Sequence, residues 1–501
     1  YGILSTTGAS HTHNIFNNTI RDFTGGTGTV YGVHRTLASG SIYGNSVYNL
    51  TGGATIWGLC NGSGNNYIYK NSIYNLTSTS TGTTAGLVSG IYISGATNHY
   101  LYNNFMSDLK APAATGTDAV RGINSIAATA PSNIGLFYNT IFLNASSTGT
   151  NFGSSGIFVT TSTTATTAAL DLRNNIVVNN STAVGTGLTV AYRRSSTSLT
   201  NYASISNNNN LFAPNILHDG TTGYTTMSAY KALVIPRDAS SFSENSPFVN
   251  VSTTPYNLHI NTGIATQTES GGTPVSSPIA ITDDFDGNTR HLTAPDVGAD
   301  EFAGIVLDLN PPSITYIPLL NTSSTTARTL VVTVTDPSGV PTTAPGFPNL
   351  YWMKTGDVSW TAVTPTGVAG SNYTYSFGTG VTAGDVVSYY VVAQDNATSP
   401  NVGAFPSAGA GGFSSNPPAA ATPPTTPSSY TVTAAGLSGD YTVGLLLFNQ
   451  ITGKNITFNK SVQKVMKEVW IEVPTTENQL EKGMEPKDVI TEISDKPSGY
   501  F

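Results

Sequence analysis

The sequence predicts an all-β chain in which a parallel β-helix precedes a β-sandwich, and three observations lead to this prediction. A five-residue phrase centred on an asparagine, first Phe16-Asn17-Asn18-Thr19-Ile20, returns through the first two hundred residues at steps of 26 to 35 residues. Only 10% of the 501 residues are charged. Beyond about Leu307 the pattern changes to short alternating strands separated by Pro and Gly. A strand-rich unit repeated at such a spacing is typical of a solenoid.

Each copy of the phrase is predicted to form one strand, because apolar residues lie two positions before and two positions after the central Asn. The leading apolar column is mostly aromatic (Phe16, Tyr43, Tyr69, Tyr102 and Phe137). Both columns and the Asn are expected on the inward face. Buried amides need hydrogen-bond partners, and amides one strand spacing apart can supply them. We interpret the column as a structural ladder of Asn18, Asn45, Asn71, Asn104, Asn139 and Asn174.

A second strand signal in each repeat opens with Gly, as in Gly90-Ile91-Tyr92-Ile93 and Gly156-Ile157-Phe158-Val159. Ser/Thr/Gly/Ala-rich stretches such as 78–84 separate the two signals and are predicted to be loops of variable length. Two or three strands and one long loop make one turn of a parallel β-helix. A β-propeller blade needs about 40–45 residues, which is more than this spacing provides.

Composition changes divide the chain into five predicted segments. These are β-helix turns (1–215), a segment that closes the β-helix (216–303), a β-sandwich (304–405), a Pro/Ala/Gly/Ser-rich linker (406–432) and a charged C-terminal segment (433–501). Within the last segment, 445–448 is a candidate strand, and the residues beyond Pro474 are expected to be poorly ordered. The chain starts inside what resembles a turn of the β-helix, so we expect it to be part of a longer protein.

The charge balance excludes some classes of partner. A net charge of −8 gives no basis for nucleic acid binding, which normally requires a basic surface. The sequence contains no run of eighteen or more apolar residues, so no membrane span is predicted. The lone Cys60 excludes a disulfide within the chain.

Carboxylates are sparse where a solenoid enzyme would need them, because residues 1–215 contain only Asp22, Asp108, Asp118 and Asp171. Hydrolysis of a glycosidic bond requires paired carboxylates across a cleft. Asp22 and Asp108 share a repeat position with Asn49 and Asn75, which favours a polar turn stack over a metal site. The sequence therefore favours a non-catalytic protein, although it leaves a minimal active site open.

Two groups of side chains are candidates for carbohydrate binding. Tyr48 and Tyr74 are one repeat apart and are predicted to point outward, where aromatic rings stack against sugars. The alternative is that they simply cover neighbouring strands. Arg193 and Arg194 could hold an anionic sugar, or they could be solvated arginines of a loop.

One stretch has part of a calcium-loop pattern. Asp284, Asp286 and Asn288 provide oxygen atoms at alternate positions, but the twelfth residue of the pattern is Pro295 instead of Glu. The alternative is a Gly-containing turn in which Arg290 pairs with Asp296 or Asp300. No other cofactor is expected.

Two stretches carry a family resemblance. Ser246–Asn250, Asn257–Ile260, Asp284–Arg290 and Asp296–Phe302 follow one another in an order similar to the closing segment of bacterial right-handed parallel β-helices of the pectate-lyase-like superfamily. This resemblance covers roughly residues 1–303. The run Gly384–Asp395 resembles a late strand of a fibronectin-III or immunoglobulin-like sandwich.

The resemblance implies an extracellular or cell-surface protein of bacteria. Its implied function is structural or adhesive, with polysaccharide or cell-surface components as partners. The alternative is a polysaccharide lyase or glycoside hydrolase. Lyases of this fold use a base such as Lys or Arg, often with Ca²⁺. Fold alone does not decide between these functions.

Overall fold

The computed structural model describes residues 1–435 except 7, 9, 10, 63, 96, 129 and 130, together with the backbone of strands Leu445–Asn449 and Lys454–Phe458. The fold is all-β apart from one short helix in this part of the chain. Two compact units divide it, Tyr1–Leu307 and Asp308–Phe501. The remainder of the predicted segment 433–501 lies outside the described residues.

The first unit contains three long sheets, to each of which most turns of the chain contribute one strand. The first sheet consists of Ile3–Ser5, Val30–Arg35, Ile56–Asn61, Val88–Ile93, Val120–Ser125, Ser154–Val159, Thr189–Arg194, Asn215–His218 and Gly223–Tyr224. The second consists of Ile15–Phe16, Gly40–Tyr43, Asn65–Tyr69, Asn98–Tyr102, Asn133–Phe137 and Ala169–Arg173. The third consists of Thr19–Thr24, Ser46–Gly52, Ser72–Ser78, Phe105–Lys110, Thr140–Leu143, Ile176–Asn179 and Asn210–Phe212.

Neighbouring strands in these sheets are parallel, except the final pair of the first sheet. Buried aliphatic side chains from all three sheets form one continuous core. This arrangement is compatible with a parallel β-helix, in agreement with the predicted fold class. We term these three stacked sheets the coil.

The recurring phrase is bent instead of extended. The residue before each central Asn has a left-handed backbone, with φ of 54° at Asn17, 53° at Lys70 and 52° at Asn103. Asn adopts this conformation more readily than most residues. The corner separates a strand of the second sheet from a strand of the third sheet.

Because of this corner, the predicted inward orientation of the aromatic column is wrong. Ile42, Ile68 and Leu101 face the core, whereas the neighbouring Phe16 is 48% exposed. Successive outward rings stack on one another, as Tyr43 and Tyr69 do with 4.8 Å between their centroids. A left-handed residue breaks the alternation of sides on which the period-2 prediction depends.

The asparagine ladder runs through the inside of the corner. Each side-chain amide nitrogen donates to Oδ1 of the next Asn at 2.8 to 3.0 Å, through Asn18, Asn45, Asn71, Asn104, Asn139, Asn175 and Asn209. The sixth member is Asn175, so the assignment of Asn174 was wrong. Asn174 instead occupies the left-handed corner, with φ of 57°, and binds the backbone of Thr273.

A buried carboxylate terminates the ladder. Asn209 Nδ2 donates to Asp238 Oδ1 at 2.9 Å. Asp238 is fully buried and also accepts hydrogen bonds from Ser241 and from the hydroxyls of Tyr202 and Tyr230. These donors satisfy the carboxylate, which would otherwise be costly to bury.

Asp22 and Asp108 belong to a second corner column with left-handed backbone, as the repeat position predicted. Asn49 Nδ2 donates to Asp22 Oδ1 at 2.9 Å, and Asn75 Nδ2 donates to Asn49 Oδ1 at 2.6 Å. Lys110 Nζ lies 2.9 Å from Asp108 Oδ2. These carboxylates therefore have structural partners.

The predicted boundary at residue 215 falls inside the strand Asn215–His218, which still belongs to the first sheet. The rest of 216–303 contains the helix Met227–Val234, capped by the Thr226 side chain, and the antiparallel pair Phe248–Asn250 and Asn257–Ile260. Within the described part of the chain no helix is long and apolar enough to cross a membrane. Later residues of the segment pack on the outside of the coil, where Val297 and Ala299 lie among the core of Phe105 and Phe142.

Arg290 attaches this segment to the corner column. Its guanidinium donates to Asn103 Oδ1 and to the Gly298 carbonyl, both at 2.9 Å, and lies 3.8 Å from the ring centre of Tyr138. Its ion-pair partner is Glu301, at 3.1 Å, and not the predicted Asp296 or Asp300. The segment therefore binds the coil through the residues that form its corners.

The second unit contains two antiparallel sheets that share one core. One sheet consists of Ser313–Thr315, Arg328–Thr335, Gly367–Ala369 and Asn372–Phe377, and the other of Asn349–Lys354, Thr361–Val363, Val386–Gln394, Val402–Phe405 and Ser428–Thr431. Two short pairs are Phe413–Ser414 with Ala419–Ala420 and Leu445–Asn449 with Lys454–Phe458.

Part of the predicted linker 406–432 belongs to the second unit. Ser428–Thr431 pairs with the long strand Val386–Gln394, and Tyr430 and Val432 are buried in the core. The preceding residues are rich in Pro, so this short alternating strand was predicted to be part of the linker.

We expect His99 to make the first unit sensitive to acid. Burial lowers the pKa of this enclosed imidazole to about 4 from an ordinary value of 6.5. Its Nε2 lies 2.5 Å from the Gly95 carbonyl, while the amide nitrogens of Asn61 and Asn66 approach Nδ1. Between pH 6.5 and pH 4 the unfolded chain binds a proton that the folded chain does not, so stability falls as pH falls.

The expected loss across this window is about 3 kcal/mol. Burial raises the pKa of Asp296 to about 7, which gives the opposite slope, so the quantity to measure is the difference between wild type and His99→Gln in urea unfolding at pH 4 to 7. His291→Gln, at an exposed site, is the control. Equal pH dependence in wild type and His99→Gln would contradict the assignment.

Candidate functional site on the outer face of the first sheet

The Gly-opened strands place two columns of side chains on the outer face of the first sheet. One column consists of the residue directly before the Gly of each strand. The other consists of the residue two positions after that Gly. Three aromatic residues on this face, Tyr31, Trp57 and Tyr92, are only partly buried and form what we term the aromatic strip. Trp57 stacks on Tyr92 with 3.8 Å between ring centroids, whereas Tyr31 lies edge-on to Trp57 at 5.3 Å.

A charged group continues the same face on the next turns. We term Asp118, Arg121, Ser155 and Arg193 the basic cluster. Asp118 Oδ2 lies 2.7 Å from Arg121 and 3.4 Å from Arg193, and Asp118 Oδ1 accepts a hydrogen bond from Ser155 Oγ at 2.6 Å. One carboxylate thus faces two guanidinium groups, which leaves one excess positive charge.

Arg193 has unused hydrogen-bonding capacity. Its Nε donates to Ser155 Oγ at 2.8 Å, but its Nη2 is enclosed and has no acceptor among the residues that the structure describes. Burial lowers the pKa of Arg193 and also that of the neighbouring His218, whose pKa the positive charge of Arg193 lowers further. An anionic oxygen beside the exposed part of the Arg193 side chain, which is 13% exposed, would offset these effects.

Arg121 connects the cluster to a further ring. Its guanidinium carbon lies 3.6 Å from the ring centre of Phe158, which is the geometry of a cation–π contact. Arg121 Nη1 also donates to Asn124 Oδ1 at 2.8 Å. These contacts fix the guanidinium in place, and the Arg121 side chain is 8% exposed.

The structure separates the two predicted arginines, because they lie in the strand Thr189–Arg194 and not in a loop. Arg193 faces outward in the basic cluster. Arg194 faces inward, is 1% exposed, and donates to the hydroxyl of Tyr192 at 2.5 Å and to Asn201 Oδ1 at 2.7 Å. The prediction of Arg194 as a sugar-binding residue was therefore wrong, since adjacent residues of a strand point to opposite faces.

Tyr48 and Tyr74 lie on the third sheet, so the structure does not bring them together with Arg193. Their rings are parallel and stacked, with 4.8 Å between centroids. Each ring therefore covers one face of the other. This contact is the one expected if the pair covers neighbouring strands.

The three residues predicted as calcium ligands do not converge. Asp284 is fully buried and accepts hydrogen bonds from four donors: Gly287 N, Asn288 N, Asn288 Nδ2 and Glu301 N. Asn288 thus turns its amide nitrogen, not its oxygen, toward Asp284. Asp286 instead turns to His259, with 2.8 Å between Oδ2 and Nε2. The predicted calcium loop is a turn stabilised by Asp284.

Sequence reasoning missed Trp57, Tyr92, Arg121 and Asp118 as members of a site. The signal was present for three of them, because aligning the repeats on Gly32, Gly58, Gly90 and Gly122 places these side chains in two columns. Asp118 comes from a loop and has no repeat position. No protein-family model matches the sequence, and no curated protein matches it either.

Proposed function

We propose that the chain is a non-catalytic structural or adhesive protein of a bacterial cell surface that binds an acidic polysaccharide on the first sheet. The supporting observation is the continuity of the aromatic strip with the basic cluster on one face. Rings stack against the apolar faces of sugars, while guanidinium groups bind carboxylates or sulfates in a fork geometry. Extracellular location is part of the same proposal.

We propose a finer fold assignment for each unit. The first is a right-handed β-helix of the pectate-lyase-like type, supported by its three parallel sheets. The second is an immunoglobulin or fibronectin-III-like sandwich, supported by its two antiparallel sheets over one core.

Binding in preference to catalysis is supported by the state of Asp118. Its two oxygens already accept hydrogen bonds from Ser155, Arg121 and, at a longer distance, Arg193. Both oxygens are therefore already occupied, and glycoside hydrolysis needs a second carboxylate across the cleft. The basic cluster therefore fits recognition of an anion better than general acid–base catalysis.

The proposal is tested with oligogalacturonate and cello-oligosaccharides in isothermal titration calorimetry. Trp57→Ala is expected to weaken oligogalacturonate binding at least tenfold, which is about 1.4 kcal/mol. Arg193→Gln is expected to weaken oligogalacturonate binding by a similar factor and to leave binding of the neutral oligosaccharide unchanged. High salt should weaken binding of the acidic ligand only.

Tyr74→Ala, on the third sheet, is the matched control and should bind as wild type does. A loss of binding in Tyr74→Ala without a loss in Trp57→Ala would move the site to the third sheet. The same mixtures are followed by ultraviolet absorbance for unsaturated products. Their formation by wild type would replace the binding proposal with the lyase alternative.

A further inference from the structure

Three side chains of the segment that packs on the coil converge from different positions in the sequence. His259 lies in the strand Asn257–Ile260, Asp286 in the turn after Phe285, and Asp300 near the end of the segment. Each offers a nitrogen or carboxylate oxygen, and these atoms all lie within 4.8 Å of one another. An ion held there would connect the strand to the two later stretches.

Asp300 is a buried carboxylate with too few partners. It is 7% exposed, and its one hydrogen bond within the described residues comes from Ile260 N, at 3.1 Å from Oδ2. Asp284, which is fully buried and nearby in sequence, has four donors. A buried carboxylate normally has several donors or a cation, whereas Oδ1 of Asp300 has no donor among the described residues and is left to solvent or a cation.

The orientation of the His259 ring points to a cation as well. Asn257 Oδ1 accepts the His259 backbone N–H at 3.1 Å, which fixes the oxygen of that amide toward the ring. The same oxygen lies 2.6 Å from Nδ1, so Nδ1 carries a proton and donates it. This hydrogen bond is the one that orients imidazoles bound to metal ions.

The other ring nitrogen, Nε2, lies 2.8 Å from Asp286 Oδ2. A cation beside these two atoms would be bound by both of them. A metal ion would satisfy His259, Asp286 and the unpartnered oxygen of Asp300 together.

We propose that His259, Asp286 and Asp300 bind one divalent transition-metal ion. One imidazole nitrogen and two carboxylates match Zn²⁺, which takes nitrogen and oxygen ligands at four positions. Asp286 and His259 are partly exposed, so water can complete the coordination. The ion has a structural role, because it holds the strand Asn257–Ile260 against the turn 284–288.

The test uses the full chain, stripped of metal with EDTA, and titration with ZnCl₂. Wild type is expected to bind one ion at this site and to unfold at a higher temperature with zinc than without it. Asp286→Asn, at an exposed position, is expected to keep the fold and to weaken zinc binding at least tenfold. His259→Ala should lose the zinc-dependent rise in unfolding temperature.

The second unit contains another group of carboxylates, Asp308, Asp336 and Asp395, which could bind zinc independently. Asp336→Asn therefore serves as the matched control, and the zinc-dependent rise should persist in it. Unchanged zinc affinity in both Asp286→Asn and His259→Ala would overturn the proposal. So would a ¹⁵N spectrum in which saturating zinc leaves the Nε2 resonance of His259 unchanged.

Discussion

Replacing Asn104 by alanine is expected to lower the free energy of unfolding of the coil by about 3 kcal/mol or more. Its side chain is fully buried and makes five hydrogen bonds. Nδ2 donates to Ile68 O, Tyr102 O and Asn139 Oδ1, while Oδ1 accepts from N and Nδ2 of Asn71. Alanine leaves these buried groups without partners and gains no packing.

Asn98→Ala is the matched control, because Asn98 belongs to an amide column on the surface of the same coil. It exchanges hydrogen bonds with Asn65 and Asn133 at 2.7 and 2.8 Å. Water can replace these bonds, so we expect a loss below about 1 kcal/mol. Urea unfolding followed by circular dichroism measures both variants, and equal losses would show that burial of the ladder contributes nothing.

Replacing Arg290 by alanine is expected to destabilise the attachment of the segment 266–302 by about 3–5 kcal/mol. The guanidinium is 4% exposed and pairs with Glu301 and Asn103. Its removal leaves the Glu301 carboxylate without its cation and exposes one face of the Tyr138 ring. Arg290→Lys should also destabilise, because a single ammonium cannot reproduce the fork of hydrogen bonds.

Hydrogen exchange of the peptides that cover 266–302 measures this effect locally, and thermal unfolding measures it globally. Arg21→Ala is the control, since Arg21 is exposed and its one ion pair within the described residues is with exposed Asp22, at 3.4 Å. Its exchange should match that of wild type. If Arg290→Ala also matched wild type, Arg290 would not be what holds the segment to the coil.

The sequence predicted the repeat, the strands and the buried amide column, because the spacing of like residues is a property of the chain itself. It could not predict which side the aromatic column faces. One left-handed residue such as Asn17 reverses the alternation, and its φ depends on the three-dimensional corner. The pair Asn174-Asn175 was ambiguous for the same reason, since Asn suits both the corner and the ladder.

The candidate site was less predictable than the fold. Arg193 and Arg194 are adjacent in sequence, yet only Arg193 is on the outer face. Asp118 and His218 reach this face from a loop and from the last parallel strand, which no repeat position indicates. Asp286 and Asp300 approach His259 only because two loops fold back on the same strand. Contacts of this kind depend on tertiary structure and leave no local pattern.

All amides of the ladder donate in the same direction, and the last one donates to the carboxylate of Asp238. A carboxylate has no N–H with which to continue the column. A duplicated turn inserted between two existing turns would accept one amide hydrogen bond and donate another, provided that it carries Asn at the ladder position. Gene duplication can therefore lengthen this coil by adding turns between existing turns. The turn that contains Asp238 has to remain the last turn of the ladder.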